Sequence, residues 1–267
     1  MKRNPAVAGQ FYPEDSYQLK EMITGFKKGV SQKISSKGVI LPHAGYIYSG
    51  KVAVQTVEKI LPEKRLIILG PNHTGLGENF SVYKKGSWLT PLGEVKIDEE
   101  LTDFILKEKG PLKEDTLAHQ FEHSIEVELP ILQYFFGQFI FVPIICREAT
   151  LETYKEIAEQ IFRGIKKVKE KVLVIASSDM THYEPDSTAR RKDRLAIEAI
   201  LNLDVEKFLE VVEKENISIC GVAPISITLI LTKLFKATKA EVVLYQTSAD
   251  VSKDYSSVVG YLGAIIS

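Results

Sequence analysis

VILPHAGYIYSG (39–50) runs an apolar stretch into a histidine, His43, and then into a turn marked by Gly45 and Gly50. The same move recurs twice. In RLIILGPNHTGLG (65–77) an apolar run ends in Gly70-Pro71 and releases His73, and VLVIASSDMTHY (172–183) releases Asp179 and His182. Short continuous apolar runs bounded by turn residues are the pattern of strands buried on both faces. In an open α/β sheet ligands bind beyond the carboxyl ends of such strands, because the loops leaving them converge there. Three of the five histidines sit at these ends, so the pattern predicts one site assembled from distant segments.

Outward from these strands, helices and strands alternate. Leu19, Met22, Ile23 and Phe26 recur at helical spacing after Asp15 or Ser16 as cap. A strand at 38–41, a helix over 52–60 stopped by Pro62 and a strand at 66–69 form a crossover unit whose strands should lie parallel. Segments 80–83, 86–89 and 93–97 read as a small antiparallel excursion, and Asp98 as the cap of a helix through Lys107. The segment 124–136 fits both alternation and helical spacing; it is taken as a helix bent by Pro130. A strand at 139–145, helices over 151–167, 189–201, 205–213 and 224–234, and closing strands at 241–246 and 257–265 complete the chain. With no linker, low-complexity tract or fixed repeat, the expectation is one α/β domain over 1–267, a largely parallel central sheet flanked by helices.

Composition narrows the function. With 45% hydrophobic residues in 267, and 34 Lys and Arg against 35 Asp and Glu, the chain can bury a large core and has no basic tract for nucleic acid. No apolar run reaches membrane-spanning length, and MKRNPAVAGQFYP lacks a signal-peptide core, so a cytoplasmic location is expected. Two cysteines in a chain this long, Cys146 and Cys220, fit a reducing compartment. Lys and Glu are abundant while Cys and Met are few, as in heat-adapted proteins.

Histidine, thiolate and carboxylate are the side chains that hold transition metals or move protons. Local motifs such as H-E-x-x-H are absent, so ligands would have to come from separate elements. Cys220, in ISICGVAP, precedes a turn glycine and an apolar helix whose positive end should lower its thiol pKa; Cys146, ending FVPIIC, reads as buried and inert. Asp179, three residues before His182, is placed to orient that imidazole. His123 is a further acid/base candidate, His119 reads as a surface histidine, and Tyr46 and Tyr48 are candidates for a pocket wall. GPNHTGLG lacks phosphate-loop spacing, and no G-x-S-x-G elbow occurs.

Taken in order, RNPAVAGQFYP, LPHAGYIYSG, LGPNH, FEHSIEVELP, SSDMTHY and CGVAP resemble the Memo family, whose microbial members are called AmmeMemoRadiSam system protein B. The match spans essentially the whole chain. The resemblance implies the fold of class III extradiol dioxygenases, non-haem iron enzymes, with a metal triad of His43, His73 and Cys220. Asp179 and His182 would stand beside it, with His123 as a pocket residue. In the dioxygenases the third ligand is a glutamate; a thiolate in its place makes copper, iron or zinc the candidate ions. The leading expectation is a Memo-type metal-binding protein; the resemblance adds redox chemistry on an unidentified small molecule or peptide, with a radical S-adenosylmethionine protein as partner, as what such a site could serve. Two others compete: a cysteine hydrolase with Cys220 as nucleophile, His182 as base and Asp179 as orienter, and a peptide-binding module without catalysis.

Overall fold

The computed structural model describes residues 1–267. A short strand β1 (Lys2–Arg3) and an irregular strap lead to helix α1 (Ser16–Phe26), whose cap is Asp15, with Oδ1 accepting from the amides of Tyr17 and Gln18. The crossover unit follows as β2 (Gly38–Leu41), α2 (Tyr46–Glu58) and β3 (Arg65–Pro71). Helix α2 begins earlier than its apolar spacing suggested, directly after Gly45. Gly50 is therefore inside the helix and not in a turn. It lets α1 approach, since a Cβ there would come within 2.9 Å of the Phe26 ring.

Next come β4 (Phe80–Val82), β5 (Ser87–Thr90), β6 (Gly93–Ile97), α3 (Glu99–Lys107) and β7 (Lys113–Glu114). Asp98 caps α3 by accepting from the Leu101 amide at 3.1 Å. The helix expected over 124–136 is shorter: α4 is Glu128–Phe136, preceded by turns. Pro130 consequently falls in the first turn, where its missing N–H removes no helical bond and bends nothing. The chain continues through β8 (Ile140–Cys146), α5 (Leu151–Ile165), β9 (Val172–Ser177), β10 (His182–Glu184), α6 (Asp186–Leu201) and α7 (Val205–Lys214). It closes with α8 (Val222–Leu234), β11 (Ala240–Thr247), α9 (Ala249–Ser252) and β12 (Val258–Ile266).

The strands form one twelve-stranded mixed sheet in the order β1-β5-β6-β8-β3-β9-β2-β12-β10, with β11 paired to β12 and β4 to β8. Its centre, β8-β3-β9-β2, is parallel throughout. Alternate residues of these strands feed opposite faces, as a period of two requires. Val39, Leu41, Leu66, Ile68, Leu173 and Ile175 pack under α1, α2 and α4. Ile67, Leu69, Val174, Ile40 and Ala176 pack under the helices of the other face. This two-sided burial is why the strands read as unbroken apolar runs. It also fixes the site: β3, β9 and β2 are neighbours, so the loops after Pro71, Ser177 and Leu41 leave the sheet side by side. No helix is long and apolar enough to cross a membrane.

Candidate metal centre

His43, His73 and His123 each offer a ring nitrogen, and these donor atoms all lie within 4.8 Å of one another. His43 and His73 enter on the loops after β2 and β3. His123 comes from the irregular segment before α4 and stacks on His73, centroids 4.7 Å apart and planes 16° from parallel. That segment is drawn against the sheet edge at Gly70, where a Cβ would overlap Ser124.

Hydrogen bonds fix the tautomers of two of the rings. Glu122, fully buried, accepts from the His73 amide at 2.6 Å and from His73 Nδ1 at 2.9 Å. Burial alone would raise the Glu122 carboxyl, but the hydrogen bond and charge of His73, with His123 and the Ser124 amide, hold it down to about 2. An ionised carboxylate only accepts, so the His73 proton sits on Nδ1 and Nε2 keeps a lone pair. His43 Nδ1 is 2.8 Å from Ser177 Oγ. Ser177 has one proton to give, to the Ser124 carbonyl at 2.6 Å or to Glu128 at 2.9 Å, so toward His43 it accepts and His43 Nε2 is likewise free. Burial, then the neighbouring histidines, hold His43 well below the usual imidazole range, and burial lowers His123 as well. At His73 burial pulls downward, but Glu122 outweighs it and the value is raised. Oriented imidazoles, held toward the neutral form by burial at His43 and His123, offer the lone pairs a transition metal requires, and the donor set fits one.

Cys220 stands beside the trio, its Sγ 3.3 Å from His43 Nε2 and accepting from the Asp179 amide at 3.2 Å. Gly221 permits this approach of the α8 entry to β9, because a Cβ there would collide with Ser178. The expected lowering of the thiol does not occur. Burial and then the Asp179 carboxylate push Cys220 up, outweighing the Asp179 amide and the Ser178 hydroxyl that act the other way. Cys146, by contrast, is buried as read, and burial raises it too.

Asp179 does not orient His182. Its Oδ1 accepts from the His43 amide at 2.9 Å, tying the β2 and β9 loops together. Burial raises Asp179 to about 6 against the opposing effects of His182 and the His43 amide. His182 is oriented instead by Ser218, whose carbonyl accepts from Nδ1 at 2.7 Å, leaving Nε2 without a partner in the chain. The spacing of three residues does not make a hydrogen-bonded pair, because His182 pairs with Val259 on the edge of β12 and bonds Ser218. Tyr46 is packing, its hydroxyl donating to the Val127 carbonyl at 2.7 Å, while Tyr48 is partly exposed.

His119 is the clearest departure from the sequence expectation. It is 0% exposed, packed edge-on to Tyr83 and Trp88, and burial with the Arg3 charge lowers it to about 3. Arg3 is responsible: its Nε donates to the His119 carbonyl at 2.7 Å and draws the loop under the N-terminal strap. Glu122 and Ser177 are the site residues that sequence reading passed over. The signal for Glu122 was present in FEHSIEVELP, where Glu122, Glu126 and Glu128 sit at even positions and Ile125, Val127 and Leu129 at odd ones.

A family model described as Memo-like protein matches residues 3–265. A MEMO1 family protein of Methanopyrus kandleri is 43% identical over 280 residues, covering 99% of each chain. A MEMO1 family protein of Saccharolobus islandicus is 44% identical over 281 residues at the same coverage, and one of Methanobrevibacter smithii is 40% identical. Among solved structures, an uncharacterized protein from Escherichia coli K12 is similar in fold, with a TM-score of 0.51 at 11% identity over 85% of this chain and 98% of that one.

Proposed function

The chain belongs to the Memo family, and from that premise we propose that it is a metal-dependent redox enzyme acting on a small molecule. Its ion would be held by His43 and His73, with His123 and Cys220 completing the donor set. The observation that carries the reading is the convergence of three imidazoles from separate segments, their donor atoms within 4.8 Å of one another. A set of imidazole and thiolate donors suits copper, iron or zinc. Bound there, such an ion supplies Lewis acidity or electron transfer. The chain's own contributions are distinct: Glu122 and Ser177 aim the rings, Asp179 fixes the His43 loop, and His182 Nε2 is free to carry a proton at the rim.

Anaerobic reconstitution with Cu(I), Fe(II) and Zn(II), followed by elemental analysis, tests this. One ion per chain is expected, lost in His43→Ala and His73→Ala. His182→Ala should retain it with affinity weakened by no more than about 10- to 100-fold. Absence of stoichiometric metal, or equal loss in all three variants, would overturn the assignment.

The 3.3 Å contact between Cys220 Sγ and His43 Nε2 favours one second reading, a cysteine nucleophile with His43, in place of His182, as its base. Iodoacetamide separates the two: metal ligation protects Cys220 from alkylation, whereas a nucleophile reacts at the same rate with or without added metal.

A further inference from the structure

Tyr261 is 2% exposed, yet no hydrogen bond within the chain engages its hydroxyl. The fold's fully sealed polar atoms without partners lie elsewhere, at Ser36, Trp88 and His119 among others. The Tyr261 oxygen is not one of them, so it faces space that solvent reaches. Its partner therefore comes from outside the chain, either water or a bound molecule that displaces it.

The surrounding backbone locates that space. Tyr261 pairs with Gln246 across β12 and β11, and cross-strand partners share a face of the sheet. Gln246 Nε2 donates to the Tyr48 carbonyl at 2.8 Å, so the Tyr261 ring lies on the side of α2. Next to it, Gly260 accepts from the Met180 amide at 2.8 Å and donates to the Thr181 carbonyl at 2.9 Å, which sets Tyr261 against the loop that carries Asp179. β12 pairs Ala264 with Ile40, one residue before β2 ends, so Tyr261 lies on β12 just beyond the point where the loop carrying His43 leaves β2. Burial raises the phenol, and the Asp179 carboxylate and the phenols of Tyr48 and Tyr183 raise it further, so at neutral pH it is a donor. Tyr48 and Tyr183 present accessible aromatic surface beside it, 39% and 79% exposed.

We infer that Tyr261 is a ligand-binding residue of this site, its hydroxyl donating to an oxygen of a small molecule seated between the histidine trio and the Tyr48–Tyr183 flank. The aromatic flank suits an apolar body. The phenol is a donor, so the ligand atom that faces it is an oxygen acceptor, carbonyl or phenolic. The location rests on the metal-site reading; the hydrogen bond itself does not require the ion.

The test uses Tyr261→Phe, which removes only the oxygen, and 4-cyanophenol as probe. Zinc stoichiometry and melting temperature are measured first, and the probe is then titrated calorimetrically into zinc-loaded and metal-free protein. The expected result is unchanged zinc content and melting temperature in Tyr261→Phe, with probe affinity weakened roughly three- to tenfold, the effect of one hydrogen bond. Equal affinity in the two proteins, no binding by the unmodified chain in either form, or a lower melting temperature in Tyr261→Phe would each overturn the inference. Absence of bound zinc with the affinity difference intact would sink the metal reading and leave Tyr261 standing.

Discussion

Glu126 and Glu128 lie two residues apart and are both 0% exposed, yet the protein neutralises them in opposite ways. Glu126 is saturated. It accepts from Arg3 Nη1 at 2.7 Å, the Ala6 and Val7 amides at 2.8 and 3.0 Å, and the Tyr12 hydroxyl at 2.7 Å. Arg3 in turn donates to the carbonyls of His119 and Glu122 and lies 4.1 Å over the Trp88 ring. Glu128 has no cation. Burial drives its carboxyl well above the usual carboxylate range, Oε1 meets Ser177, and Oε2 has no partner. The first carboxylate is an anchor that pins the N-terminal strap to the segment bearing Glu122 and His123. The second is a neutral acid linked through Ser177 to His43. A buried carboxyl can be held by an ion pair or by a proton, and the two solutions respond differently to mutation and to pH.

The largest effect that would break this contrast is on stability. Glu126→Gln leaves the Arg3 guanidinium buried without its counter-charge, and the expected loss is about 3–5 kcal/mol. It would be read as a lower denaturation midpoint at unchanged slope. A loss below about 1 kcal/mol would mean that Glu126 is no more an anchor than Glu128.

A double-mutant cycle of Arg3→Met and Glu126→Gln sharpens the point. Once one partner is absent, removing the other should be far less harmful, giving a coupling energy of roughly 0.5–3 kcal/mol. Strict additivity would contradict the pairing.

The smallest effect is expected at Glu128→Gln, below about 1 kcal/mol at pH 5, because a neutral amide replaces a neutral acid of similar shape. Its pH dependence carries the information. The native chain keeps the Glu128 proton, whereas the unfolded chain releases it above about 4.5. Glu128 therefore contributes stability that is fully present below that value and is lost as pH rises toward the folded-state value. Its contribution should fall by at most about 1.4 kcal/mol per pH unit, and Glu128→Gln should gain on the unmodified chain between pH 5 and 8. Parallel stability profiles for the two proteins would show that Glu128 is ionised in the native state.

The same pair shows where sequence reading stopped. Nothing in FEHSIEVELP distinguishes Glu126 from Glu128, because the difference is Arg3, more than a hundred residues earlier. His119 was misjudged for the same reason: a histidine between Ala118 and Gln120 has no local mark of burial, and the Arg3 bond that buries it is a long-range contact. Asp179 and His182 show the converse error. Their closeness in sequence suggested a pair, but Asp179 serves the His43 amide and His182 serves Ser218.

By itself the sequence determined the parallel centre of the sheet, because strands buried on both faces must be apolar at every position, and unbroken runs such as 66–69 and 172–176 can satisfy little else. It also determined that His43, His73 and Asp179 would leave the same edge, since turn residues end those runs. Only the tertiary structure decided that His123 joins His43 and His73, that Glu122 and Ser177 aim the rings, and that the Cys220 thiol is raised. Those outcomes depend on strand order and on which loop covers which. They arise from desolvation and hydrogen bonds between segments, terms that no local pattern of residues encodes.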